Sequence, residues 1–450
     1  MHILTESAGK VRRKEGSLNI YKKKMCLIIF LIYEIIIFLI TLIRASITQL
    51  TFDEADTCGT YCKETIFTWP GIKETFSSSI ANNHLLNTYL ITLFQMIFNE
   101  KYSEFLIRLP MILFLAVFLV MVYFMLQKEY ISIPVAVFLT SNYYVAEFYG
   151  LARGYAMANA LVFGACASYI AWGKREYKDD RYLVLCSLFL AAAISANTVV
   201  LLLIPSFGIM WLIRLLQERK LLLVLKKYVI YLVIYAIFMG IMFKYHMNVT
   251  QISFLYTGEG KSFFECFFVS YGYMFTHQHA LIAGAAFLSV VVLVTVFCVW
   301  FRNIYECDFL IMFWILLAVF GLAQFLFRRG YATGRELIPF YPLVVFAMWN
   351  GMEKTVAGWQ RVCGESNIMR MLPKALSFVI CVLLILNFMR KIDVDSTSEW
   401  YDNYGRRENV IKQFMLTDGD WTQMEDFGAE EDWFYLYKLH DICFGESNEE

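Results

Sequence analysis

Apolar runs of about 20 residues, each long enough to cross a bilayer as a helix, recur along this chain and are separated by short polar connections. They lie at 25–46, 106–126, 131–149, 155–173, 182–196, 198–216, 228–245, 280–301, 309–327, 336–351 and 374–390. The pattern predicts an all-α polytopic membrane protein with about eleven spans, the count ranging from about ten to thirteen according to how the shorter runs are read. One shorter apolar run, 85–98, either crosses, which changes the side of every later loop, or lies along the interface as a short helix, which leaves the count at eleven.

Lysine and arginine decide between these readings, because short cytoplasmic loops collect them. With 85–98 kept on the outer surface, Lys128, Lys174, Arg175, Lys178, Arg181, Arg214, Arg219, Lys220, Lys226, Lys227, Arg302, Lys354, Arg361, Arg370 and Lys374 all fall on one side. That side is then cytoplasmic, together with a basic N-terminus at 1–24. The run from Met25 has no small-residue cleavage site and is too long for a signal-peptide core, so it reads as a retained first helix. The outer face receives the loop 47–105, the turns near 150 and 330, the segment 246–279 and a tail or small cap at 391–450.

Composition agrees with the pattern: 59% of residues are hydrophobic and 17% are charged, far from a soluble domain. Lys+Arg and Asp+Glu are equal at 39 each, which gives no reason to expect nucleic acid as a partner. Several of the 11 cysteines, Cys26, Cys166, Cys186, Cys298 and Cys381, sit inside apolar runs, where a thiol acts as a small hydrophobe. Cys58 and Cys62 differ in lying in the polar stretch after the first run, and both a local disulfide and two free thiols are open.

Polar chemistry concentrates on the outer face. "QLTFDEADTCGTYCKE" places Asp53, Glu54 and Asp56 at the mouth of the first span. Such a cluster is either a solvated acidic loop or a base that deprotonates an acceptor hydroxyl, and Asp53 and Glu54 are the candidate ligands if a divalent cation takes part. Further on come His84, then Arg108 in "SEFLIRLP", then Glu147, Arg153 and Tyr155 around "ARGYA", and then Arg328, Arg329 and Arg335 around "TGRELIPFYP". A local Glu147/Arg153 ion pair is the plain expectation for the third segment. Arginines on the outer side oppose the positive-inside trend, and a phosphate headgroup, which guanidinium binds through paired hydrogen bonds, gives them a reason. His277 and His279 lack a carboxylate partner and are weak metal-ligand candidates. Glu34, inside the first span, is expected to face the helix bundle.

In this order, "FDEA", the His84 and "SEFLIRLP" stretch, "ARGYA" and "TGRELIPFYP" resemble the GT-C glycosyltransferases that use lipid-linked sugars, the group with the protein mannosyltransferases and the aminoarabinose transferases of lipid A. The resemblance covers residues 25 to about 350 and implies a GT-C type transmembrane domain at 25–390 with interfacial helices in the first outer loop. It implies that Asp53 is the catalytic base, with Glu54 beside it, and that Arg108, Arg153, Arg335, Tyr155 and His84 bind donor phosphate or order the site. The chain departs from the family where Leu85 and Leu86 replace two prolines and where Glu336 replaces an aromatic residue.

The expectation is an inverting transferase that moves a sugar from a polyprenyl-phosphate donor to a glycan, lipid or protein hydroxyl at the outer face of a bacterial plasma membrane. A transporter or flippase for an anionic lipid-linked sugar, and an inactive scaffold, are the alternatives.

Overall fold

The computed structural model describes residues 2–48, 54, 57–58, 62, 64–77, 84–99, 103–217, 222, 240, 263–276, 279–327, 334–363 and 367–392. Helices are the only regular structure among them. The predicted span at 228–245, the tail at 391–450 beyond residue 392, and Asp53, Asp56, His277, Arg328 and Arg329 lie outside the described residues.

The first helix, α1, runs over His2–Ile47, with its apolar portion at Lys23–Ile47. The first loop holds a 3₁₀ turn at Glu64–Phe67, a helix α2 at Trp69–Ser77 and a helix α3 at Leu85–Phe98, whose limits match the predicted interfacial run. Then come α4 at Glu104–Gln127, α5 at Ile133–Thr140, α6 at Tyr143–Tyr149, α7 at Gly154–Lys174 and α8 at Arg181–Ala196. A 3₁₀ turn at Thr198–Leu203 leads into α9 at Ile204–Gln217. The later helices are α10 at Phe263–Tyr273, α11 at Ala280–Trp300 and α12 at Asp308–Phe327. A 3₁₀ segment at Gly334–Phe340 precedes α13 at Tyr341–Cys363, and α14 spans Asn367–Lys391.

Five helical stretches among the described residues are long and apolar enough to cross a membrane: Lys23–Ile47, Glu104–Gln127, Gly154–Lys174, Thr198–Gln217 and Ala280–Trp300. Their outer surfaces are apolar as well. On α4, Leu113, Val117, Val120 and Phe124 recur at helical spacing and are 46–54% exposed, while Met111, Ile112, Leu115 and Leu119 are buried. Large apolar groups on both faces suit a helix with protein on one side and lipid on the other. These features give the chain integral membrane character.

The centre of the bundle is α7, whose side chains are almost all buried. It packs against α4, α8, α13 and the Gly334–Phe340 segment. Its sequence "GYAMANALVFGACASYIAWGK" is rich in Gly and Ala, which let neighbouring backbones approach where lipid supplies no hydrophobic drive.

Two sequence expectations change. The run 131–149 is not one helix but two, broken at Ser141–Asn142, because Asn142 accepts a hydrogen bond from the Val145 N–H and starts a new helix. Part of the expected connection 246–279 is helical, since Phe263–Tyr273 forms α10. That segment is only 11 residues long and was hidden from a search for spans.

Candidate functional site

The C-terminal end of α1, the first loop, the starts of α3 and α4, the α6–α7 turn and the 3₁₀ segment before α13 meet at one end of the bundle. Glu54 fixes this junction and is fully buried. Its carboxylate accepts from Arg108 Nε and Nη2, each at 2.8 Å, and from the Ala152 N–H at 2.6 Å. Arg108, also fully buried, turns its Nη1 to the carbonyls of Thr48 and Ala45, at 2.5 and 3.2 Å. Those carbonyls close α1, where the last turn of a helix leaves acceptors without intrahelical donors. One guanidinium therefore ties the end of α1 to the first loop, and through Glu54 to the α6–α7 turn. Both Glu54 oxygens are engaged, and Asp53 is its immediate neighbour in the chain.

Beside this node is a second one. Tyr155, near the start of α7, is nearly buried, and the guanidinium carbons of Arg153 and Arg335 stand 5.7 and 5.6 Å from its ring centre. The His84 ring meets Tyr155 edge to face at 4.8 Å, and Phe148 does so at 5.6 Å. A cation within about 6 Å of an aromatic face is attracted by the ring quadrupole. Arg153 and His84 are buried, whereas Arg335 is partly exposed and stands at the rim. Three of the residues singled out from the sequence, His84, Arg153 and Arg335, thus share the ring of a fourth, Tyr155.

The supports are local and specific. Asn87 donates to the Ala152 carbonyl at 2.8 Å, so α3 is pinned to the same turn as Glu54. Asn159 donates to the Ile338 carbonyl at 2.8 Å and accepts from Tyr149, which holds the segment carrying Arg335 against α7. Gly334 adopts φ +55°, a left-handed conformation that suits glycine, and its N–H donates to Ser270. Gly154 allows a close approach: a Cβ there would lie 2.1 Å from the Ala196 carbonyl oxygen and 2.8 Å from His84 Cβ.

Sequence reasoning missed Arg44. Its Nη2 is 2.9 Å from Glu147 Oε1, both side chains are buried, and this pair joins α1 to α6. Glu147 therefore has a partner beyond the local one expected. The signal was present: Arg44 ends an apolar run at its outer mouth, where a basic residue runs against the positive-inside trend as the other outer arginines do.

Cys58 and Cys62 are free thiols. Hydrogen bonding to Cys62, burial and the nearby Glu54 carboxylate push the Cys58 thiol well above its ordinary value. Among the described residues, no group of three His, Cys, Asp or Glu side chains is placed to share a cation. Glu54 is already neutralised by Arg108, which leaves it poorly suited as a ligand. Glu34 is buried as expected, and its Oε1 has no hydrogen-bond partner. No protein-family model, no curated protein and no solved structure matches this chain.

Proposed function

We propose that this protein is a membrane glycosyltransferase that moves a sugar from a polyprenyl-phosphate donor to an acceptor hydroxyl, with the site on the outer face of the membrane. The observation that carries the proposal is the convergence of His84, Arg153 and Arg335 on Tyr155, beside a turn held by Arg108 and by Glu54, the residue that follows Asp53 in the chain. In this reading the topology is the eleven-span GT-C arrangement, with α3 along the interface and the N-terminus cytoplasmic.

The donor's isoprenoid tail lies in the membrane and its phosphate lies at the rim guanidinium of Arg335, with Arg153 behind it. Asp53 takes the proton of the acceptor hydroxyl as its oxygen attacks the anomeric carbon. The bond from that carbon to the phosphate oxygen breaks, its electron pair leaves with the phosphate, and the configuration inverts. Fixed positive charge at the departing phosphate lowers the barrier by several kcal/mol in sites of this type. Glu54 is a positioning residue here, since its oxygens already accept three hydrogen bonds and its burial denies it to substrate.

The decisive experiment uses the full chain in nanodiscs with a panel of labelled polyprenyl-phosphate sugars, assaying transfer to an envelope extract. Asp53→Asn is expected to abolish transfer while leaving expression and thermal stability unchanged. Wild-type turnover in that variant would sink the assignment. A transporter or flippase is the second reading, drawn by the broken α5–α6 pair and by Glu34 buried within α1. It predicts movement of an intact fluorescent lipid-linked sugar across liposomes with no transfer product.

A further inference from the structure

At the end of the bundle opposite the Tyr155 cluster, Cys298 in the last turn of α11 and Cys307 just before α12 bring their sulfurs to 3.7 Å. Both side chains have no exposed surface. Isolated buried cysteines usually act as inert small hydrophobes, but these two touch each other. The Cys307 thiol is directed at Cys298 Sγ and also lies 3.4 Å from the Asn303 carbonyl. Cys298 Sγ in turn lies 3.4 Å from the Gly351 carbonyl and 3.6 Å from the Thr355 hydroxyl. The Cys307 S–H donates to Cys298 Sγ and the Thr355 hydroxyl can do so, whereas the Gly351 carbonyl only accepts, so Cys298 is the sulfur of the pair that receives donors.

The connection between the two cysteines is thin. Residues 301–306 form a turn ending in a single 3₁₀ segment, and the flanking Trp300 and the Tyr305 within it are 78% and 77% exposed. The thiols therefore lie one layer below the surface, and a local opening of this turn is the route by which a small oxidant would reach them. Closing the pair to a disulfide needs the sulfurs to approach to about 2.05 Å. The turn is short and held chiefly by Asn303, whose N–H donates to the Cys298 carbonyl and whose side chain donates to the Lys354 carbonyl.

We propose that Cys298 and Cys307 form a reversible oxidation site that hydrogen peroxide converts to an intramolecular disulfide. The Cys298 thiolate attacks the peroxide, so an S–O bond forms, the O–O bond breaks and a first water leaves. The Cys307 sulfur then displaces the sulfenic oxygen, so the S–S bond forms and a second water leaves. Two thiols and one hydrogen peroxide thus give one disulfide and two waters. The residue after Cys307 is Asp308, which accepts hydrogen bonds from Tyr169 at 2.6 Å and from Arg214 Nε at 3.0 Å. The disulfide would staple the α11–α12 turn directly beside the contact that joins α7, α9 and α12. This site is independent of any sugar-transfer chemistry.

The test uses the full chain in nanodiscs, reduced, desalted, exposed to hydrogen peroxide, quenched and alkylated with N-ethylmaleimide in detergent before tryptic digestion. Arg302 separates the two cysteines, so the disulfide appears as two peptides joined to each other and released by reductant. The expected result is that joined pair as the main oxidation product, replaced in Cys307→Ser by a dimedone adduct on Cys298. The proposal is overturned if both thiols of the peroxide-treated wild type are recovered as maleimide adducts at the level of the untreated protein. Pairing of either one with a different cysteine overturns it equally, and both readouts use the wild type alone.

Discussion

A guanidinium without surface exposure is costly unless every donor is matched, and Arg108 shows how the chain meets that demand. Glu54 takes two of its donors, and the carbonyls that end α1 take a third. Removing one member of such a pair leaves the other charge buried and costs about 3–5 kcal/mol, whereas replacing both with apolar groups of similar size is often neutral. Arg108→Met is therefore expected to lower the midpoint of thermal unfolding sharply in a detergent-stability assay, and Glu54→Leu to do so as well. The double variant should recover part of the loss. A loss in the double variant equal to the sum of the two single losses would show that the pair is not coupled. The pairing partners were not legible in the sequence, although the residues were. Arg108 and Glu54 were each marked by their place near the mouths of spans, but no spacing rule joins two positions so far apart in the chain. The pairing of Arg44 with Glu147 escaped for the same reason.

Helix limits, by contrast, follow from local pattern, and most are visible in the sequence: Leu85–Phe98 and Glu104–Gln127 fall where the apolar runs lie. The exception is the break between α5 and α6, and hydropathy could not reveal it because both halves are apolar. The break is a matter of hydrogen bonding. Asn142 caps α6 through Val145 N–H and also donates to the Met274 carbonyl at 3.2 Å, while Tyr33 and Ser141 share a hydrogen bond and Tyr341 donates to the Phe138 carbonyl, each at 2.5 Å. Backbone groups freed by a break inside a membrane need partners of this kind, since lipid offers none. Asn142→Ala removes the cap and strands the Met274 carbonyl, at a cost of roughly 1–3 kcal/mol. Asn142→Asp, which keeps the cap acceptor but loses the donor, should fall between Ala and wild type. Equal stability of all three proteins in a denaturant series would show that the break does not depend on this side chain.

At the scale of the whole molecule, the burial of arginines bears on sidedness. The sequence count set three arginine-bearing segments on the outer face against the positive-inside trend. The structure takes Arg108 and Arg153 out of solvent, and Arg44 with them, so their charge is spent within the bundle. At the opposite end, Lys128, Lys174, Arg175, Lys178, Arg181, Arg302 and Arg361 are all exposed. Several sit beside acids at the same end, as in the Lys23–Glu129 and Lys354–Glu306 pairs. Exposed cationic side chains are the ones that resist translocation, and among the described residues the Tyr155 end shows chiefly Lys73 and the half-exposed Arg335. The asymmetry is thus larger than a count of letters suggests, and it is the asymmetry expected of the proposed topology, in which the Tyr155 end is the outer one. Single cysteines decide the matter. A membrane-impermeant maleimide added to intact cells should label Trp69→Cys, an exposed position in the first loop, and should label Lys178→Cys only after permeabilisation. The reverse pattern would turn the molecule over in the membrane and place the Tyr155 cluster on the cytoplasmic side, where the outer-face transferase proposed here does not operate.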